Sequence, residues 1–290
     1  MPFSMKKLSF LIILFALNTT LFGQTETKSY SRKGEYSFIW GYNRSAYLNS
    51  DIHFLGNGYD FKLFDVTAKD KPTPISHIGT YINPATISIP QFNCHVSYFI
   101  NDHWAVSIGW DHMKYVANDF QTVKATGHID AQVSDPTITV NPQYVGTFTN
   151  KDIVLNPSNL LHLEHTDGFN YVTVEMDRYD RLWTAKNNKT SLDWFVGGGI
   201  GAMVPRSDVH LFGVGANHYW NLSGYGFSTR AGLRYDFSKR FFFQTDAKLG
   251  FSRLNDIPTT GYPSDYAKQS IGWGEVTCVL GYKWGKHRNK

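Results

Sequence analysis

The feature of this chain that most constrains its fold is an alternation of apolar and polar side chains with a period of two residues. In residues 225–237 the odd-numbered positions hold only apolar residues and one threonine, whereas the even-numbered positions hold glycine, serine, arginine and aspartate. Successive side chains of a β-strand point to opposite faces of its sheet. Such a strand belongs either in a soluble sheet whose apolar face points inward or in a membrane barrel whose apolar face meets lipid.

The same alternation marks eight predicted strands, at residues 35–47, 89–100, 104–116, 168–181, 190–204, 221–237, 240–253 and 270–284. Three of the connections are short, and four are long, at residues 48–88, 117–167, 205–220 and 254–269. Short periplasmic turns and long extracellular loops are typical of outer-membrane barrels. The sequence therefore predicts an all-β fold, an eight-stranded antiparallel up-and-down transmembrane β-barrel with long extracellular loops. A hairpin at residues 52–68 is the feature that would raise the count to ten.

The first residues have the pattern of an export signal. Two lysines precede an apolar run at residues 8–16, which is too short for a membrane-spanning helix, and Gly23 precedes the predicted cleavage point. An uncleaved helical anchor is the alternative. The predicted division is a signal peptide (1–23), an N-terminal periplasmic segment (24–34), the barrel (35–284) and a C-terminal tail (285–290).

The inward faces of the predicted strands carry charges of both signs. An eight-stranded barrel is just wide enough for side chains to fill, and isolated buried charges are costly, so these residues should form ion pairs. A filled lumen argues against a general diffusion pore. The alternative fold, a periplasmic sandwich or lipocalin-like barrel, would place the same residues outside. They are Glu35, Asp111, Glu175, Asp177, Asp193, Asp236, Asp246, Glu275, Arg230, Arg234, Lys248 and Lys283.

Composition narrows the class of partner. Aromatic residues make up 16% of the chain, the net charge is only +4, and no basic patch points to nucleic acid. The predicted partners are outer-membrane lipids and the barrel-assembly machinery that inserts such proteins. Cys94 and Cys278 would lie two strands apart, roughly 9–10 Å, which exceeds the reach of a disulfide. No disulfide is therefore predicted.

The long loops hold the residues that would perform chemistry. Their carboxylates and imidazoles are ligand types that divalent metal ions use, and the outer rim is where lipid headgroups lie. The candidate metal ligands are Asp51, His53, His162, Glu164 and His165. The other candidate binding residues at the rim are Tyr59, Asp60, Asp167 and Asn170. The alternative is that all of these are ordinary solvated loop residues, because none of their spacings is a specific metal signature.

Four short motifs resemble the outer-membrane barrels related to bacterial lipid A oxidase. They are Ser50-Asp51-Ile52-His53, Tyr59-Asp60-Phe61-Lys62-Leu63, Asp111-His112-Met113-Lys114-Tyr115 and Asp167-Gly168-Phe169-Asn170. The resemblance covers the first two-thirds of the chain. It implies oxidation of the proximal glucosamine of lipid A, dependent on oxygen and a divalent metal.

Hydrolysis is a second enzymatic interpretation. Lipid A 3-O-deacylases are also eight-stranded barrels, with a His–Ser–Glu set near the outer rim. Glu164-His165-Thr166 followed by Glu175 has a partial similarity to that set, which makes His165 and Glu175 the candidate catalytic residues. Thr166 stands where a serine is expected, and a threonine without further activation is a poor nucleophile.

The non-enzymatic alternative is a barrel for adhesion, recognition or envelope integrity, whose long loops are the working surface. The two classes differ in a spatial expectation. Close approach of the loop carboxylates and histidines would favour an active site, and scattering would favour a plain loop surface. The residues that decide this are Asp51, His53, His162 and His165.

Overall fold

The computed structural model of the chain describes residues 31–186 and 189–285, most of which are β-strand. The predicted signal peptide (1–23), residues 24–30 of the predicted periplasmic segment and residues 286–290 of the predicted tail lie outside the described residues. In the described part, no helix is long and apolar enough to cross a membrane.

One short helix, α1 (Ile78–Ile82), lies between the fourth and fifth strands. The strands are β1 (Glu35–Tyr47), β2 (Ser50–Gly56), β3 (Tyr59–Val66), β4 (Ala68–Lys69), β5 (Phe92–Phe99), β6 (Trp104–Ala117), β7 (Thr122–Ile129), β8 (Gly146–Val154), β9 (Leu161–Thr184), β10 (Ser191–Met203), β11 (Arg206–Leu211), β12 (Val214–Trp220), β13 (Gly224–Asp236), β14 (Phe241–Pro258) and β15 (Tyr266–Gly285).

Eight of these strands pair into a closed antiparallel ring. Their order is β1-β5-β6-β9-β10-β13-β14-β15, and β15 pairs back onto β1 from Glu35↔Gly285 to Tyr47↔Trp273. The turns at one end of the ring are the three short connections that the sequence predicts, those before β6, β10 and β14. Each of the eight predicted strands therefore contributes to the ring, and consecutive ones are neighbours.

The outer face of the ring is apolar and its interior is charged. All twelve charged residues predicted to face inward are buried, none of them more than 5% exposed. The alternative of a periplasmic sandwich with these charges outside is therefore wrong. An antiparallel sheet with an apolar exposed face and a polar buried face is typical of outer-membrane proteins, and the chain is an outer-membrane protein. Exposed residues on the outer face include Phe38, Ile108, Val174, Ile200, Phe227, Leu233, Phe243, Leu249, Val276 and Leu280.

The described chain has fifteen strands rather than the predicted eight, because β-structure continues beyond the ring. β9, β14 and β15 are 24, 18 and 20 residues long and exceed their predicted bounds at the outer end. In these outer parts the polarity of the two faces inverts. On β9, Leu161 and Leu163 face inward, whereas Glu175 and Asp177 face inward nearer the end of the ring with the three short turns. The predicted strands ended too early because, beyond this point, the apolar residues lie on the inward face of the strand instead of the outward face.

The segments predicted as long loops carry the remaining strands, which extend the sheet outside the ring. β2 pairs with the outer end of β15, and β3, β7 and β8 follow in that order. β11 pairs with the outer end of β9 and with β12, while β4 pairs with β6. A hairpin does form near residues 52–68, from β2 and β3, but it adds no strand to the ring. Its turn contains Gly58 with φ of +83°, a conformation that favours glycine.

We call these seven strands, together with the outer parts of β6, β9, β14 and β15, the cap. The cap encloses a hydrophobic core of its own, in which Phe61 stacks on Phe54 with ring centroids 5.0 Å apart and Tyr59 meets Phe212 edge-on at 5.4 Å. The molecule thus has a charged interior in the ring and an apolar interior in the cap. Other fully buried members of the cap core are Ile52, Leu63, Ala125, Ile129, Leu160, Val209, Leu211 and Ile257.

The two cysteines lie on β5 and β15, and β1 runs between those strands. Both thiols are free. One strand therefore separates the two cysteines, and the prediction of no disulfide rests on that separation.

Candidate functional site

Lys248 is at the centre of a buried ionic network in the middle of the ring. Its Nζ lies 2.5 Å from Asp111 Oδ2, 2.8 Å from Glu175 Oε1 and 3.6 Å from Glu275 Oε1. Arg230 extends the network through a bidentate contact with one carboxylate, Asp177, at 2.9 and 2.5 Å, and a contact with Glu175 at 3.0 Å. We call Asp111, Glu175, Asp177, Arg230, Lys248 and Glu275 the lumen cluster.

Glycines on the inner face of the ring make room for these large side chains. A Cβ atom at Gly109 would lie 2.3 Å from the ring of His95, and one at Gly199 would lie 2.6 Å from Cγ of Glu175. Both distances are too short for any real contact. Gly109 on β6 and Gly199 on β10 are therefore packing requirements of the filled interior.

One set of metal-type ligands lies inside the ring. His95, Asp111 and Glu175 bring ligand atoms within 4.8 Å of one another, and His95 Nε2 is 2.7 Å from Asp111 Oδ1. The ammonium group of Lys248 contacts both carboxylates. Lysine thus fills the place that a metal ion would take, and its ammonium group pairs with both carboxylates. Glu175 lies here, in the interior, rather than at the outer rim where the hydrolase interpretation requires it.

A second ionic layer fills the end of the ring with the three short turns. Arg234 contacts Glu35 and Asp236, each at 3.0 Å, and its guanidinium lies 3.7 Å from the ring centroid of Phe242. Lys283 contacts Asp236 at 2.5 Å. Two layers of buried ion pairs therefore occupy the interior of the ring between its short-turn end and its middle.

A hydrogen-bonded layer separates the charged interior of the ring from the apolar interior of the cap. The amide of Gln269 donates to the Ser50 hydroxyl at 2.8 Å and to the Tyr115 hydroxyl at 2.7 Å. The indole of Trp273 donates to the Ser252 hydroxyl at 2.9 Å. All of these side chains are buried, so the cap closes directly onto the ring.

His165 lies in the cap with a serine that sequence analysis did not associate with it. Its Nδ1 is 2.8 Å from the hydroxyl of Ser207 on β11, and both residues are buried beside Tyr115 and Phe169. Burial lowers the pKa of His165 to about 4. Among the described residues, Nε2 of this histidine has no hydrogen-bond partner. A histidine–serine pair is thus present, but it is enclosed by aromatic rings and lies ten residues along β9 from Glu175, about 30 Å in an extended strand.

The outer face of β9 and β11 carries a different group, which we call the rim group: His162, Glu164, Asp208 and His210. Ligand atoms of the first three lie within 4.8 Å of one another, and His210 Nε2 is 2.9 Å from Asp208 Oδ1. Burial opposes ionisation of Glu164, but hydrogen bonds from Thr166 and Lys71 outweigh it and lower the pKa of this carboxyl group. The three converging residues supply one imidazole and two carboxylates, a donor set that suits a divalent transition metal.

Asp51 and His53 lie elsewhere, on β2. Asp51 contacts Lys62 at 2.7 Å, and His53 contacts Asp60 at 2.7 Å, so each predicted ligand is already in an ion pair or hydrogen bond on the cap surface. They line a groove of about 430 Å³ together with Arg253 and Lys268. In this groove one carboxylate, Asp51, lies among the cations Lys62, Arg253 and Lys268.

The remaining predicted rim residues have three different environments. Tyr59 is buried in the cap core, and Asp167 lies 3.8 Å from Arg206. Asn170 is buried, and its Oδ1 accepts hydrogen bonds from Trp110 Nε1 and His112 Nδ1, both at 2.8 Å. These contacts are structural, because they tie neighbouring strands together.

The structure therefore brings together only His162 and Glu164 of the five predicted metal ligands. Asp51 and His53 lie on another strand pair, and His165 points into the cap core, since neighbouring residues of a strand face opposite ways. Sequence analysis missed Asp208 and His210 because residues 205–220 were taken as a loop. The signal was present, since Arg206, Asp208 and His210 alternate with Ser207, Val209 and Leu211.

Comparisons with known proteins identify no family. No family model and no curated protein matches the chain. Among solved structures it is similar to the attachment invasion locus protein Ail of Yersinia pestis, at 16% identity over 87% of this chain and 99% of that one, with a TM-score of 0.33. It is also similar to the outer membrane protein OprG of Pseudomonas aeruginosa, at 10% identity over 88% and 98% of the two chains, with a TM-score of 0.40. Neisserial surface protein A matches at 9% identity over 88% and 99%, with a TM-score of 0.36.

Proposed function

We propose that the ring is an eight-stranded up-and-down transmembrane barrel and that the cap stands outside the cell. The exposed apolar face of the ring supports its placement in lipid, and the three short turns support a periplasmic position for that end. The signal peptide and insertion by the barrel-assembly machinery complete this proposal, because a chain of this kind must be exported before it folds.

We further propose that the protein is a non-enzymatic surface barrel whose cap binds a macromolecular partner, in adhesion or recognition. The observation that carries this proposal is the cap itself: seven strands and a packed core where flexible loops are expected. A rigid sheet presents a fixed surface, so binding to it costs little ordering entropy. The ionic layers that fill the lumen add support, since they leave the cap surface as the part that meets the outside.

Cell adhesion provides the test. The chain is expressed in a Gram-negative host that does not adhere to immobilised glycans or extracellular-matrix proteins, and binding of whole cells is measured. We expect a gain of binding that is lost when the cap is destabilised by Phe61→Ala and Leu211→Ala, which lie in its core. Leu249→Ala on the lipid face is the matched control, because it shortens an exposed residue of the ring. Equal binding by cells that carry the core variant and cells that carry the intact chain would contradict the proposal.

A lipid A oxidase-like activity is the second candidate, and the rim group is the observation that favours it. His162, Glu164 and Asp208 would hold the divalent metal, which would supply the oxygen chemistry. The position of the group weighs against this candidate. Glu164 lies eight residues beyond Val172, the outermost exposed apolar residue on the outer face of β9, which is roughly 20 Å along a tilted barrel axis.

Mass spectrometry of lipid A separates the two candidates. Lipid A is compared between cells with and without the protein, grown with oxygen and added divalent metal. The oxidase candidate requires a mass shift that disappears in a His162→Ala, Asp208→Ala variant and persists in His53→Ala, which changes a histidine outside the rim group. An unchanged lipid A profile in all cells, together with adhesion, is the result that we expect from a binding protein.

A further inference from the structure

The segment between β4 and β5 has an unusual composition. No aspartate, glutamate, lysine or arginine occurs from Pro72 to Asn101, although the rest of the cap is rich in charge. The first part of this stretch, residues 72–91, lies outside the ring and contains the short helix α1. We call residues 74–90 the isoleucine segment.

Large apolar side chains of the isoleucine segment are exposed rather than packed. Ile75, Ile78 and Ile82 are 79%, 63% and 71% exposed, and Ile89 is 52% exposed. Elsewhere in the cap, isoleucines such as Ile52 and Ile129 are fully buried in the core. Four exposed isoleucines within fifteen residues form an apolar surface, and its exposure to water is unfavourable.

The isoleucine segment is attached to the lipid-facing side of the ring. The hydroxyl of Tyr42 on β1 donates a hydrogen bond to the backbone carbonyl of Tyr81, and the two aromatic rings meet edge-on at 4.8 Å. An Nη atom of Arg44 lies 3.5 Å from the Tyr81 hydroxyl. Tyr42 and Arg44 share the outward face of β1 with Phe38, which is exposed on the apolar exterior.

The position along β1 places this attachment near the outer edge of the apolar exterior. Tyr36 lies at the periplasmic end of β1, stacked on Trp284. Tyr42 and Arg44 are six and eight residues farther out, which for a tilted strand is roughly 15 and 20 Å along the barrel axis. The apolar exterior of such barrels is about 25 Å tall, so both residues lie at the level of the outer leaflet.

We propose that the isoleucine segment is an interfacial element that lies in the outer leaflet beside the barrel, with its four exposed isoleucines in contact with lipid acyl chains. Two observations fix lipid as the partner: the apolar surface is continuous with the lipid-facing exterior through Tyr42, and the segment has no charged side chain to desolvate. Tyrosine at the attachment point suits the boundary, because its ring is apolar and its hydroxyl is polar. The proposal concerns membrane contact and is independent of what the cap binds.

Site-directed spin labelling tests the proposal on the full chain. In a Cys94→Ala, Cys278→Ala background, a nitroxide is attached at Ile78→Cys or Ile82→Cys, and the protein is reconstituted in phosphatidylcholine–phosphatidylglycerol vesicles. Collision with oxygen, which concentrates in the bilayer, is compared with collision with a water-soluble nickel chelate. Leu249→Cys on the lipid face of β14 and Thr147→Cys on the surface of β8 are the two reference positions.

We expect labels at 78 and 82 to favour oxygen over nickel several-fold, as the label at 249 does, whereas the label at 147 favours nickel. Three results would overturn the proposal. Nickel access equal to that at 147 would place the segment in water. Exclusion of both reagents would indicate a protein contact, and dipolar broadening between labels would identify a second copy of this chain as the occupant.

Discussion

Lys248 is the cation on which the lumen cluster depends. Lys248→Met would leave Asp111, Glu175 and Glu275 close together in a buried site with one fewer cation. Removing one partner from a buried ion pair costs about 3–5 kcal/mol. We expect the variant to unfold at a clearly lower temperature, measured by the loss of the fast-migrating folded band in unboiled gel samples. Lys239→Met in an exposed periplasmic turn is the control, and equal melting of the two variants would contradict this assignment.

His165 gives the cap a predictable dependence on pH. Its pKa is lowered to about 4 in the folded cap, against 6.5 for an ordinary histidine, so the unfolded chain binds the extra proton between these values. The free energy by which neutral His165 favours the folded cap is therefore fully present above pH 6.5. It is lost as the pH falls towards 4, and the loss is on the order of 3 kcal/mol. We expect limited proteolysis of the cap to accelerate between pH 7 and pH 5. His165→Gln should reduce that acceleration, and an identical pH profile in the variant would be inconsistent with this role.

At the scale of elements, the cap and the ring should differ in how they depend on the β2–β3 hairpin. Replacing Ser50–Val66 by a short turn removes Phe54 and Phe61 from the cap core but none of the strands of the ring. We expect the cap to become sensitive to trypsin while the ring keeps its heat-modifiable mobility. Loss of the folded band would show instead that the ring needs the cap. A variant with only Asp60→Asn, on the exposed face of the same hairpin, should retain protease resistance.

The same elements show how far sequence reasoning reaches. Alternation predicted the positions of the strands of the ring because their exposed face stays apolar and their buried face stays polar from end to end, as in residues 225–237. It did not predict the cap, because the apolar face changes sides within β9, β14 and β15, and because β11 is only six residues long. The candidate site was predicted least well: His162 and Glu164 were found, whereas Asp208 and Ser207 come from a strand that had been taken as a loop.

At the scale of the whole molecule, the filled lumen predicts an electrically closed barrel. Two layers of ion pairs and a hydrogen-bonded layer lie across the interior, under a packed cap. We expect no stepwise conductance when the purified protein is inserted into planar bilayers. A Lys248→Ala, Arg230→Ala variant that still folds would carry a carboxylate-lined interior, and any leak through it should favour cations. Regular channel openings by the unaltered chain would contradict this prediction.

The change of polarity within single strands also bears on how the strands find their alignment. Strict alternation forbids a slip by one residue, which would turn every side chain to the wrong side, but it tolerates a slip by two. Here a slip of β14 by two residues along β15 would move Ser252 into the place of Gly250, opposite Trp273, where a Cβ atom would lie 2.2 Å from the indole. The boundary between the charged interior of the ring and the apolar interior of the cap therefore fixes the register of each long strand as the chain assembles.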